Sequence, residues 1–216
     1  MGIVFGKTGV AEPAFDILLS RSTAVPYQLR KYGPRYACET EYSATDNSMG
    51  FRALAGYIGV GTAPQNDGGT GISMTAPVVT EQSKGKAISM TAPVVTDTVG
   101  DDIKKMAFIL PAEYDSMDKI PKPTNPKVKI KEIPPANGAV HTFSGSCNDD
   151  KAKVKAKELI GQLRNDGVEL DEKSMMEKFE LWQFHPPFTI PMMRKNEIWI
   201  GLSEDQVNDL IKNYKN

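Results

Sequence analysis

The hydrophobic period along this chain changes several times, and each change marks an element. Tyr27-Gln28-Leu29-Arg30-Lys31-Tyr32 alternates as a strand does, and the residues before it read as a loose arm. Gly33-Pro34 interrupts the alternation, which resumes from Tyr36 to Tyr42 with Cys38, Thr40 and Tyr42 on one side. The period then lengthens to that of a helix over MGFRALAGYIGV, Met49 to Val60. Asp46 or Asn47 can cap this helix, and Gly59 and Gly61 end it. Strands are expected again at Lys105 to Leu110, Val128 to Ile133, Ala139 to Phe143, Phe179 to Phe184 and Glu197 to Leu202.

A second helix opens at Asn148 or Asp149. It carries Ala152, Ala156, Leu159, Ile160 and Leu163 on one face and stops at Gly167. Lys151, Lys153, Lys155 and Lys157 form its wet side. The order strands–helix–strands therefore occurs twice, on either side of the Pro-rich connector IPKPTNP, Ile120 to Pro126. We expect one domain over 1–216, with related halves at about 25–111 and 126–202 sharing one sheet system. A last helix spans 203–215: Ser203 and Gln206 make a capping box ahead of the stripe Val207, Leu210, Ile211 and Tyr214. That stripe docks on the same molecule or serves a homodimer or partner protein.

One phrase is repeated: Ile72 to Thr80, ISMTAPVVT, recurs letter for letter as Ile88 to Thr96. Pro77 and Pro93 cannot donate to a ladder, so the copies belong at edges or bulges. EQSKGKA between them is turn material, and an antiparallel hairpin of the two copies is the natural expectation. Met74 and Met90 are adaptable side chains suited to a flat apolar ligand, and equally to filling a core.

The first helix is unusual on its outer side. Phe51, Leu54, Ala55 and Ile58 make an ordinary core stripe, whereas Met49, Ala53, Gly56 and Val60 make a second apolar strip. Arg52 is the one charged residue between Met49 and Val60. Gly56 costs about 1 kcal/mol relative to alanine within a helix, so something must pass close to it. That is either another element of the chain or a flat molecule with anionic edges.

Bulk properties narrow the classes. With 26 basic and 27 acidic residues among 216, the chain has no global attraction to nucleic acid. No run reaches the roughly 18 apolar residues that span a bilayer. Two cysteines, Cys38 and Cys147, and no recognisable secretion signal point to reduced thiols and a cytoplasmic protein. GxSxG, HExxH and the P-loop are missing, and we expect no enzyme.

The phrases GFRALAGYIGV, ISMTAPV, AFILP, VHTFSG and HPPFTIPMMRKNEIWIGL, in that order, resemble the SOUL/heme-binding protein family. The opening MGIVFGKTGVAEPAF looks like its cytosolic plant and algal members, in which the MTAPV phrase commonly recurs. The resemblance runs from Met1 to about Leu202. It implies an α+β fold: a distorted antiparallel β-barrel with two flanking helices, built from two βαββ-like halves, with the C-terminal helix added. It also implies reversible binding of heme or another porphyrin in an open apolar groove beside the first helix, by a cytosolic carrier or buffer. On matching positions the groove takes Met49, Arg52, Ala53, Gly56 and Tyr57, with Met74 or Met90, and Arg194 and Lys195 near the propionates.

His141, on a strand with Ala139 and Phe143, is either a barrel residue or an axial iron ligand. His185 is the other candidate, but related sequences tend to carry Asn or Asp at its position. Barrels of this kind also resemble bacterial effector-binding domains, some of which hydrolyse small molecules. An enzyme using Glu197 on an apolar or tetrapyrrole substrate in the same cleft is therefore the alternative.

Overall fold

The computed structural model describes residues 12–43, 47–74, 76, 78–82, 103–185 and 189–214. The first surprise lies at its start. Phe15–Arg21, read above as loose arm, is a strand, β1, paired antiparallel with β2 (Tyr27–Tyr32). Its register shifts between Ile17 and Leu19, and that shift hides the alternation from a reading of the chain. β3 (Arg35–Ser43) and α1 (Asn47–Ile58) follow, then β4 (Val78–Gln82) and β5 (Ile103–Ile109). After the Pro-rich connector come β6 (Val128–Ile133), β7 (Ala136–Ser144), α2 (Asp149–Asn165), α3 (Glu172–Lys178), β8 (Glu180–Gln183), β9 (Lys195–Leu202) and α4 (Glu204–Tyr214).

All the strands join one nine-stranded antiparallel sheet in the order β1-β2-β7-β9-β8-β4-β5-β3-β6. The halves are interlocked. β2 pairs with β7 of the second half, and β6 pairs with β3 of the first. Tyr32 faces Ala136, and beyond the corner Arg35 faces Ile133 in unchanged register. β2–β3 and β6–β7 are thus two long strands, bent together where Gly33-Pro34 passes Pro134-Pro135 and the ladder lapses. The bend folds the ends of the sheet toward each other although hydrogen bonds do not close it, which gives the distorted barrel.

The two faces are filled differently. On the outer face α1 packs on β3, β5 and β6 over Cys38, Tyr42, Leu54, Tyr57, Met106 and Phe108. Burial pushes the Cys38 thiol up to about 12. α2 and α4 cover a second outer cluster that includes Leu29, Ala139, Ile198 and Ile200. The inner face packs against itself: Tyr32 meets Trp182 and Trp199 at 5.2 and 5.4 Å, and the two tryptophans stack at 5.5 Å. Gly138 is needed there, because a Cβ would stand 2.5 Å from the Trp199 ring.

Two of the three predicted caps hold, and the one at Asp46 or Asn47 falls at the edge of the described residues. Asn148 accepts from the Lys151 N–H at 3.0 Å, and Ser203 and Gln206 exchange bonds at 3.0 and 3.2 Å. α4 lies on its own sheet. Val207 and Leu210 are buried, Tyr214 donates to the Asp166 carbonyl, and Arg21 lies 3.5 Å from the centre of the Tyr214 ring. In the first copy of the repeat, residues 72–74 are irregular and the ladder starts at Val78. β4 is flanked by β5 on one side and β8 on the other. The expected hairpin would pair the first copy with the second. That second copy, with Met90, lies outside the described residues.

Candidate functional site

α1 was expected to present two apolar faces, and the structure divides them unevenly. Leu54, Ala55, Tyr57 and Ile58 are buried, while Phe51 sits at the rim with its ring edge-on to Phe108 at 5.5 Å. On the outer side Met49 is 50% and Val60 40% exposed, and Ala53 is half-buried. Arg52 is exposed, and its guanidinium donates to the Ser48 carbonyl and hydroxyl at 3.2 and 2.8 Å. Met49 opens the helix side, and Val60 lies two residues past the end of α1, so the two exposed side chains flank it rather than form a continuous patch.

Two of the expected groove residues do not face that surface. Gly56 is buried beneath Gln65, whose side-chain amide stands 3.2 Å from where a Cβ would be. The Gln65 N–H donates to the Gly56 carbonyl at 2.9 Å, so the loop after α1 is what passes close to this glycine. Tyr57 points into the core, and its hydroxyl donates to the Pro121 carbonyl at 2.7 Å. Burial pushes that phenol well above its ordinary range. Met74 is half-buried on the same cluster. The strip is therefore open at Met49 and Val60 and covered between them. Cavities of about 580 and 160 Å³ lie against α2–α3 and between α3 and β9, and neither borders α1.

His141 is not brought to α1. It lies on β7, which pairs with β2 and β9, and it is buried. Its Nδ1 is 2.7 Å from the Pro26 carbonyl; a carbonyl only accepts, so Nδ1 carries the proton. The His141 ring also stacks on Phe143 at 5.9 Å. His185 is held through its own Nδ1, which accepts the Lys195 N–H at 3.1 Å. No group of three His, Cys, Asp or Glu side chains able to hold a metal occurs among the described residues.

The β8–β9 loop supplies the basic pair. Arg194 Nε donates to the Thr189 carbonyl at 2.8 Å, and the loop beside it exposes Ile190, Met192 and Met193. The Lys195 ammonium lies 2.9 Å from Glu12, 3.4 Å from Glu197 and 3.8 Å from the centre of the Phe184 ring. Glu197, the acid singled out in the sequence, is fully buried. Arg30 grips both its oxygens at 2.9 and 3.1 Å, and Thr142 donates to it at 3.1 Å. A carboxylate under that many donors serves the fold: its lone pairs are occupied and its charge is matched. Arg30 was missed as its partner. The available signal was slight: an arginine between Gln28 and Tyr32 on one face of the strand.

Such an architecture, a curled antiparallel sheet with helices on its outer face, is shared with solved structures. The C-terminal domain of EcmrR matches with a TM-score of 0.53 at 10% identity, covering 86% of this chain and 98% of that one. A hydrolase encoded by lin2189 from Listeria innocua matches with a TM-score of 0.51 at 13% identity, covering 82% and 91%. At these identities the likeness is one of fold. None of the curated proteins compared matches the sequence.

The family model of the SOUL heme-binding protein matches residues 10–86 and 80–201, and the chain belongs to that family. The two matched segments overlap over residues 80–86, so each contains one copy of ISMTAPVVT.

Proposed function

We propose that the protein binds heme and related porphyrins reversibly on the open side of α1, as a carrier or buffer of the pigment in the cytoplasm. Membership of a heme-binding family, together with the exposed apolar side of α1, carries this reading. Met49, Ala53 and Val60 offer the macrocycle an apolar surface, with burial worth about 25 cal/mol per Å². Arg52, Arg194 and Lys195 supply cations for propionates, and an arginine fork suits a carboxylate. Both histidines already use a ring nitrogen within the fold. His141 sits on β7 and not beside α1, so the proposed surface reads the macrocycle through apolar side chains and cations.

Titration of the purified protein with hemin and with protoporphyrin IX tests the reading, following the Soret band and Trp182 and Trp199 fluorescence. Saturable one-to-one binding of both is expected. Absence of binding at micromolar concentration of either would overturn it. Arg52→Glu should weaken a dicarboxylate porphyrin far more than etioporphyrin, which has no carboxylates.

A further inference from the structure

Lys195, expected to meet a ligand carboxylate, already has one. Its ammonium contacts Glu12 at 2.9 Å and Glu197 at 3.4 Å. The two carboxylates are not equivalent. Glu197 is buried and its charge is met by the Arg30 fork, whereas Glu12 is accessible and has Lys195 as its one ion-pair partner among the described residues. Glu12 comes from the short segment ahead of β1, and Lys195 opens β9 on the far side of β2 and β7. Beside Lys195 stand the Phe184 ring and a loop that exposes Ile190, Met192 and Met193. Phe184 is itself buried, so a ligand carboxylate would reach Lys195 from the accessible side that Glu12 holds.

We propose that Glu12 is an internal stand-in for that carboxylate: it occupies Lys195 in the free protein and is displaced when an acidic porphyrin binds. The proposal rests on the porphyrin reading above. Accessible pairs of this kind are weakly held, so the exchange is readily reversible, and Glu12 lowers affinity without blocking the site.

The test titrates the full-length protein with protoporphyrin IX and with its dimethyl ester. Glu12→Gln should tighten binding of the diacid by roughly two- to fivefold and leave the ester unchanged, the range expected for an exposed ion pair. Repeating the substitution in a Lys195→Met background should abolish the gain. If the gain persists there, it reflects bulk charge and the proposal falls. If Glu12→Gln leaves the diacid unchanged, the stand-in role falls while porphyrin binding stands. If neither porphyrin binds either protein, the functional reading fails and takes this inference with it.

Discussion

α1 and α2 occupy corresponding places in the two halves, each between a long strand and a pair of shorter ones, yet their surfaces are opposites. α2 runs 17 residues with Asn148 as its cap, Asp149 and Asp150 in the first turn and Arg164 in the last, complementing its dipole at both ends. Its apolar face is buried, and α3 and α4 extend the cover on its side of the sheet. α1 has 12 residues with neither an acid in its first turn nor a base in its last, and it leaves Met49 and Val60 in water. The contrast is one of capping and cover rather than of exposure alone, since α2 exposes Val154 as α1 exposes Met49. The binding surface proposed above lies on the less covered helix, α1.

Substitutions can break or sharpen that contrast. The largest effect should come from the inner face that both halves share. Glu197→Ala leaves the Arg30 guanidinium buried without its counter-charge and should cost about 3–5 kcal/mol, read from urea unfolding. A loss below about 1 kcal/mol would mean that the pair does not hold the inner face. Beneath the helices the halves should behave alike. Leu54→Ala under α1 and Leu163→Ala under α2 each remove a fully buried side chain and should cost about 2–5 kcal/mol.

On the outer sides the halves should diverge. Met49→Asp is expected to change stability by no more than about 0.5 kcal/mol, while weakening protoporphyrin roughly tenfold. Lys153→Asp on α2 should change neither. Equal effects of the two on porphyrin affinity would dissolve the contrast.

A smaller effect separates the second half by pH. Asp166 ends α2 and accepts bonds from Tyr27 at 2.6 Å, Gln162 at 3.0 Å and Arg21 at 3.2 Å. Burial works against its charge, but the bonds from Arg21 and Tyr27 outweigh that and hold the carboxyl below its ordinary range. A carboxyl depressed on folding contributes stability above the ordinary carboxylate pKa and loses it as the pH falls through the depressed value. Acid should therefore weaken the clasp on Arg21 and Tyr214 and loosen α4. Amide protection in 204–214, corrected for intrinsic exchange, should fall as the pH drops below the ordinary carboxylate range, and Asp166→Asn should remove the step. Protection independent of pH in the wild type would count against the clasp.

The elements that the chain announces are those whose signals lie within a turn or two. All of Ala152, Ala156, Leu159, Ile160 and Leu163 are buried, and Val128–Ile133 is the strand its alternation describes. β1 was missed because FDILLSR acquires a pattern only once its register shift against β2 is known. α3 was missed because its seven residues bury none of their side chains, and its signature reduces to Asp171 accepting from Ser174. The hairpin expected of the two copies cannot be placed among these, since its second strand lies outside the described residues. In the candidate site, the exposure of Met49 and Val60 was legible from the second apolar stripe. Gly56 and Tyr57 were not. A glycine shows that something comes close without showing whether that is a ligand or Gln65, and a tyrosine one turn from an open strip can still point inward.

The sequence by itself determined the three longer helices, the caps of α2 and α4, most of the strands and the apolar side chains on the outer side of α1, since these depend on bonds and side-chain spacing between near neighbours. Only the tertiary structure decided which strands trade places between the halves, that Arg30 meets Glu197 and that Glu12 reaches Lys195. Those contacts join residues more than a hundred positions apart, and the chain must close before their charges and shapes can act on each other.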